Sequence, residues 1–218
     1  MQLLIFGIGG LGKELVEIIQ SSCSRSHYEE IFILDSRPEL KGQTVFGVPI
    51  IGDNSKLEQF DPAQTEACIA IANPKRRREL VQLIKGFGFR FASIVDDSAL
   101  VRPSATVGEG VVIFSHVVIA CDAKIGNHVI INSSTIVGHD TIVADYSTIS
   151  PNTVICGNVY VNQGVEIGSG AMIHPSITIG EWAKVGMGSI IYKSVPPNVL
   201  LAAKPARIVS RKAHDWYN

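Results

Sequence analysis

The 218-residue chain lacks the features that mark membrane, disulfide-framed or nucleic-acid-binding proteins. No apolar run approaches the roughly 18 residues needed to cross a bilayer. From Met1 the chain runs straight into Leu3-Leu4-Ile5-Phe6, with no charged leader or cleavage site. Charge is scarce and balanced, 19 Lys plus Arg against 20 Asp plus Glu, which leaves no basic footprint for nucleic acid or an anionic membrane. The single basic cluster, Lys75-Arg76-Arg77-Arg78, reads as a solvated helix face. The four cysteines, Cys23, Cys68, Cys121 and Cys156, have neither metal-ligand spacing nor a disulfide framework and read as reduced, mostly buried small side chains. These absences point to a cytoplasmic protein with one large domain or two small ones.

The abundant feature is a repeat. From Val101 to Ile191 every sixth residue is Val or Ile, sixteen positions without a break, and the residue four further on is always small or β-branched. A six-residue period is neither helical nor a simple alternation. It suits a short flat strand and a tight corner, three of which close a triangular coil of 18 residues with the aliphatic side chains stacked inside. At about 4.8 Å per coil, just over five coils make a prism roughly 25 Å tall, a solenoid in which each coil is buried only by its neighbours. Glycine follows the aliphatic residue at 108, 126, 138, 168, 180 and 186, where a corner needs a permissive backbone.

The first hundred residues differ in kind. Strand-like Leu3–Phe6, Ile31–Leu34, Val48–Ile51 and Ala67–Ala72 alternate with helical Lys13–Gln20 and Pro74–Lys85, which predicts a small parallel α/β domain. We divide the chain into a Rossmann-like domain (1–95), the prism (96–203) and a C-terminal cap (204–218). Gly7, Gly9 and Gly12 form a G-x-G-x-x-G at a strand–helix junction, with Asp35 at the end of the next strand. Such a loop, with Gly10, brings backbone N–H groups up to a pyrophosphate. The domain is too short for a complete dinucleotide fold, so a nucleotide-sugar fits better than NAD.

Six histidines are present. Counting in coils from Val101, His139 and His174 fall on one edge of the prism, His128 and His116 on the other two, so these four cannot share a site within one subunit. His139, followed by Asp140, is the candidate catalytic pair; His116 and His128 read as surface residues. Gly157 lies one coil after His139 and should stack beside it.

The chain resembles the sialic acid O-acetyltransferase and bacillosamine N-acetyltransferase family of hexapeptide-repeat acyltransferases. The resemblance rests on Phe6 to Glu14, Val48-Pro49-Ile50-Ile51-Gly52, Ile71-Ala72-Asn73 with Arg78, Ile131-Asn132-Ser133, and Val137-Gly138-His139-Asp140. It implies that the prism is a left-handed parallel β-helix, a hand opposite to the usual crossover rule, and that three copies associate. It also implies acetyl-CoA in the groove between prisms, with Gly157, Gly168, Gly186, Gly188, Lys204 and Arg207 as contacts, and no metal. The small domain would hold a UDP- or GDP-linked amino sugar through Gly9, Gly10, Gly12, Asp35, Asn73 and Asn132. In that reading His139 takes a proton from the attacking amine, Asp140 orients the ring, and the Gly157 N–H meets the oxyanion. The sequence departs from the family at Thr148, where some members carry a second histidine, at Ala144, and at Ala203 before Lys204-Pro205-Ala206. Sugar O-acetylation is the alternative activity, and a catalytically silent sugar-nucleotide- and CoA-binding scaffold is the non-enzymatic one. A zinc hydratase on the same prism is disfavoured because no two histidines have the required spacing.

Overall fold

The computed structural model describes residues 1–21 and 27–204. The amino-terminal unit is a six-stranded sheet. Its strands are β1 (Gln2–Phe6), β2 (Glu30–Leu34), β3 (Thr44–Val45), β4 (Val48–Gly52), β5 (Thr65–Ile69) and β6 (Arg90–Phe91), with α1 (Gly10–Ser21) and α2 (Pro74–Gly86). The order is β3-β4-β2-β1-β5-β6, parallel except for β3, which pairs antiparallel with β4 and was not visible as a separate strand in the sequence. Alternation along β1 sorts the core: Leu3 and Ile5 pack with α1, while Leu4 and Phe6 face α2.

The repeat folds as three parallel sheets of two-residue rungs, the left-handed β-helix. Face I runs from Ile94–Val95 through Val112–Ile113, Ile130–Ile131, Thr148–Ile149, Glu166–Ile167 and Lys184–Val185 to Leu200–Leu201. Face II runs from Leu100–Val101 to Ile190–Ile191, and face III from Thr106–Val107 to Thr178–Ile179. Each rung pairs with the one 18 residues on, as in Val112 with Ile130, except at the top, where Lys184 pairs with Leu200. The repeat begins one hexapeptide before Val101: the strand-like stretch 89–95 splits, Arg90–Phe91 joining the α/β sheet and Ile94–Val95 starting the prism.

From Val111 on, both inward positions of the repeat are buried, and four in succession are polar: Thr135, Thr141, Ser147 and Thr153. Their hydroxyls donate to corner carbonyls, Thr141 to Cys156 O at 2.9 Å and Ser147 to Asn162 O at 2.9 Å, so no donor is stranded. The corners correct the glycine reading. The left-handed residue stands three places after the aliphatic one, and it is usually not glycine: His116, Asp122, His128, Ser134, Asp140 and Tyr146 all have φ between 55° and 61°. Glycine directly after the aliphatic residue answers a different need. At Gly138 a Cβ would lie 2.5 Å from the Cys156 carbonyl carbon of the next coil.

The two units share a core in which Ile94, Val112, Phe114 and Ile130 of the lower prism pack with Leu15, Val16 and Ile19 of α1. Helix α2 lies along the edge between faces III and I. Its first turn places Lys75 and Arg78 over the Trp182 ring, and at its far end Lys85 pairs with Glu109 at 2.7 Å. Thirteen residues at about 1.5 Å each span about 20 Å, and the four coil steps from Gly110 to Trp182 span about 19 Å. Helix and edge therefore match in length.

The structure overturns three readings. Arg77 is 1% exposed rather than part of a solvated face, because it points from α2 into the prism edge. His128 is likewise 1% exposed, covered by Phe91 and stacked on Tyr146. Of the described cysteines only Cys68 is buried, its thiol pushed up to about 12 by burial; Cys121 is exposed and Cys156 partly so, and Cys23 lies outside the described residues.

Burial, then the positive charge of Lys85 and Arg77, hold His128 down to about 4 against 6.5 ordinarily, although Glu109 and Asp145 pull the other way. Above pH 6.5 the ring is neutral in both folded and unfolded chains. As pH falls from there toward 4 only the unfolded chain takes up the proton, so stability is lost in that window. Between pH 7 and pH 5 the expected loss is about 2 kcal/mol. Denaturant titrations at the two pH values test this: His128→Asn should flatten the difference, and an unchanged difference in the variant would assign it elsewhere.

Candidate active site

His139 and Asp140 occupy the corner between faces II and III, directly after the rung Ile136–Val137. Asp140 sits at the left-handed position, φ 57°, where aspartate is better tolerated than most residues. That turn brings its carboxylate back onto its neighbour, Oδ2 lying 2.7 Å from His139 Nδ1. With the Nδ1–H donated to the carboxylate, Nε2 carries the free lone pair. The ring lies flat over Gly157, one coil on. A Cβ at 157 would overlap Nε2, Cε1 and Cδ2, so only glycine leaves the imidazole where it is. Among the described residues the Gly157 N–H makes no hydrogen bond, which leaves it available to an incoming oxyanion. His139 is 56% exposed, open toward solvent in a single chain.

The second candidate region is a cavity of about 640 Å³ above the carboxyl ends of β1, β2 and β5, where the strand order reverses. Gly9, Arg37, Asn54, Arg76 and Glu79 are among its lining. The glycines divide by role. A Cβ on Gly9 or Gly10 would meet nothing within 4 Å, whereas one on Gly12 would collide with the Gly7 carbonyl oxygen. Gly9 therefore faces the cavity, Gly10 opens the first turn of α1, and Gly12 lets α1 close on the strand.

Asp35 also has a different task from the one its motif position implies. Its Oδ2 accepts the Ile8 N–H at 2.9 Å and an Arg37 guanidinium N–H at 2.9 Å; Oδ1 accepts Arg37 Nε–H at 2.8 Å and its backbone N–H at 3.0 Å. The Arg37 side chain, helped by the two backbone donors and opposed by burial, holds the carboxyl down to about 2. The carboxylate is thus engaged within the protein, and what it presents to the cavity is an oriented Arg37. Asn73 caps α2, its side chain accepting the Arg76 N–H at 3.1 Å. Asn132 stands on the corner between faces I and II, its amide donating to Ile149 O at 3.0 Å.

The predicted cofactor residues fall on two edges. Gly157 shares the His139 corner, with His174 above it, while Gly168, Gly186 and Gly188 follow face I rungs on the I–II corner. Lys204 is exposed just past the last rung, and Arg207 lies outside the described residues. One chain therefore brings together His139, Asp140 and Gly157, and separately Gly9, Gly10 and the Asp35–Arg37 pair, but does not join the two groups. Sequence reasoning missed Arg37, Arg76, Glu79 and Arg77. The i, i+4, i+7 spacing of Arg77 with Val81 and Ile84 was the available sign that Arg77 shares the buried stripe of α2.

The PglD N-terminal domain family matches residues 2–84. The acetyltransferase domain of PglB from Neisseria gonorrhoeae is 30% identical over 94% of this chain and 98% of its own, with a TM-score of 0.87, and has also been solved with acetyl coenzyme A. PerB from Caulobacter crescentus, in complex with CoA and GDP-perosamine, is 30% identical over 96% of this chain and 98% of its own, TM-score 0.85. WeeI from Acinetobacter baumannii is 26% identical over 96% and 100%, TM-score 0.81. Among curated protein sequences none matches. With its PglD-type amino-terminal domain, its prism and these full-length likenesses, the chain belongs to the sialic acid O-acetyltransferase and bacillosamine N-acetyltransferase family of hexapeptide-repeat acyltransferases.

Proposed function

We propose that the protein is an acetyl-CoA-dependent N-acetyltransferase acting on the amino group of a nucleotide-linked amino sugar. The observation that carries this reading is the oriented His139–Asp140 pair lying over Gly157 on a prism that also bears a glycine-loop cavity. The relatives solved with acetyl coenzyme A and with CoA plus GDP-perosamine support donor and acceptor class. A cytoplasmic setting suits such a donor, and among the described residues no helix is long and apolar enough to cross a membrane.

In the reaction the sugar amine attacks the thioester carbonyl and forms the C–N bond while His139 Nε2 removes the amine proton. The negative charge gathers on the carbonyl oxygen, where the Gly157 N–H stands ready. Collapse breaks the C–S bond, and the proton held by His139 passes to the departing sulfur, giving CoA thiol and amide. Asp140 keeps Nδ1 protonated and steadies the imidazolium. No acyl-enzyme is required.

We place the site between copies of a homotrimer. Face II supports this: its outward residues are Leu100, Val118, Ile136, Val154, Met172 and Ile190, all apolar, with Leu100, Ile136, Met172 and Ile190 at 44–56% exposure. Face III mixes polar and apolar residues at corresponding positions: Thr106, Lys124, Ile142, Tyr160 and Thr178. Turning face II inward about a threefold axis sets the His139 corner of one copy beside the I–II corner of the next. Gly168, Gly186, Gly188 and Asn132 lie on that second corner, beside the side of the prism that carries the cavity. CoA would lie in the groove, and the neighbour would present the sugar.

The test is release of CoA thiol from acetyl-CoA with UDP- and GDP-linked 4-amino sugars, sialic acid, and no acceptor. Turnover with one amino sugar alone is the expected result. Release only with sialic acid would move the chemistry to a hydroxyl, and no release above the blank would leave the scaffold reading standing.

A further inference from the structure

The Arg77 guanidinium is almost wholly enclosed, yet no carboxylate faces it directly. Its Nε–H donates to His128 O at 2.8 Å. One terminal nitrogen donates to Ile71 O at 2.6 Å and Ala72 O at 3.0 Å. The other reaches Tyr146 O, Ser147 O at 3.1 Å and Thr148 Oγ1 at 2.9 Å. Burial brings Arg77 down to about 9, opposed by the negative charge of Glu166, so it stays charged at neutral pH. Thr148, 6% exposed, completes the set by donating its hydroxyl to Ala72 O at 2.7 Å.

These bonds tie together two particular places. His128, Tyr146, Ser147 and Thr148 belong to two successive coils of the prism. Ile71 and Ala72 belong to the short segment between β5 and α2. Ala70 and Ile71 line the 640 Å³ cavity, and the Ile71 side chain packs against the Gly7 turn, its Cγ1 being 3.0 Å from where a Gly7 Cβ would stand. The cavity wall and the glycine turn are thereby referenced to the prism through one guanidinium and one hydroxyl. The same helix that carries Arg77 presents Arg76, Glu79, Leu80 and Leu83 to the cavity on its other side.

We infer that Arg77 and Thr148 are positioning residues for the acceptor site, fixing the 70–73 segment, and with it the nucleotide cavity, at a set place relative to the prism. This rests on the reading of that cavity as the nucleotide-sugar site. Arginine is needed because its planar fork addresses six acceptors at once, which a lysine ammonium with three donors cannot do. A threonine at 148 serves because its hydroxyl both accepts from Arg77 and donates to Ala72.

The informative variant is Thr148→Val, which keeps the shape and removes both bonds while leaving Arg77 its other acceptors. In calorimetric titrations of the full-length protein, it should bind UDP or GDP, whichever the wild type takes, about tenfold more weakly, the effect of one buried hydrogen bond. CoA binding should stay within twofold, and Thr148→Ser should restore the nucleotide affinity. In turnover the same change should appear in the acceptor KM, with kcat at saturation kept within about twofold. Arg77→Lys should show a larger loss in the same direction; where it does not fold, Thr148→Val carries the test. Unchanged nucleotide binding in Thr148→Val, or an equal loss of CoA and nucleotide, would overturn the positioning role. Gly9→Val, which fills the cavity mouth, separates the two readings. If it abolishes nucleotide binding and Thr148→Val does nothing, only the positioning role falls. If Gly9→Val binds as wild type, or the wild type binds neither UDP nor GDP, the cavity is not the nucleotide site and both fall.

Discussion

His139→Ala should lower kcat by about a thousandfold, in the middle of the range for losing a positioned general base, while the KM for acetyl-CoA stays within about twofold. The attacking amine must lose a proton to form a stable amide, and the His139 imidazole is held with a free Nε2 lone pair by the 2.7 Å contact of Nδ1 with the Asp140 carboxylate, whereas His174 on the same corner has only the Pro175 carbonyl on its Nδ1. The geometry supplies a companion variant that leaves the base chemically intact. Gly157→Ala puts a methyl group where the ring lies, so the imidazole must swing away, and a loss of about a hundredfold is expected from misplacement alone. Thiol release under saturating acetyl-CoA measures both. Full activity in His139→Ala would remove the base from the mechanism, and full activity in Gly157→Ala would show that the ring works from another position.

Introducing lysine at both Ile136 and Met172 should leave the proposed trimer as single chains and abolish turnover together. These side chains stand on alternate rungs of face II, with Val154 between them, 44% and 49% exposed in one chain. Burying each in an interface is worth about 1.5–3 kcal/mol, and an unpaired ammonium there costs several kcal/mol more. Loss of turnover follows from geometry, because the corner with His139 and the corner with Asn132, Gly168 and Gly186 are different edges of one prism and meet only between copies. Sedimentation analysis alongside thiol release decides the matter. An active single chain would refute the shared site, and an active oligomer would show that face II is not the interface. The neutral control, Lys124→Ala on face III, should leave both unchanged.

The six-residue period was legible because its cause is local: each rung contributes the same inward side chain to the same ladder, so one dimension of sequence encodes the prism. The glycine loop was legible for a related reason. Gly7 and Gly12 must approach each other within one strand–turn–helix unit, a constraint confined to six residues. His139 with Asp140, and Gly157 one coil away, followed from counting coils.

Several departures arise where the two units meet. His128 and Arg77 carry polar side chains that in isolation belong on a surface, and nothing within a few residues of either shows that α2 will lie along that edge. The split of residues 89–95 between two sheets, the burial of Thr148 and the hydroxyl it offers Ala72 have the same origin. Asp35 was visible as an acid after β2, but Arg37, two residues on, takes its oxygens once the turn closes.

By itself, then, the sequence determined the prism, its ladders, the α/β unit and the shared corner of His139, Asp140 and Gly157, since periodicity and short-range sterics are properties of neighbouring residues. Only the tertiary structure decided which of the basic residues is buried and what holds the cavity in place. Those depend on contacts between segments 50 to 76 residues apart, such as Arg77 with His128 and Thr148 with Ala72. Such contacts are set by how one folded surface fits another rather than by any local pattern.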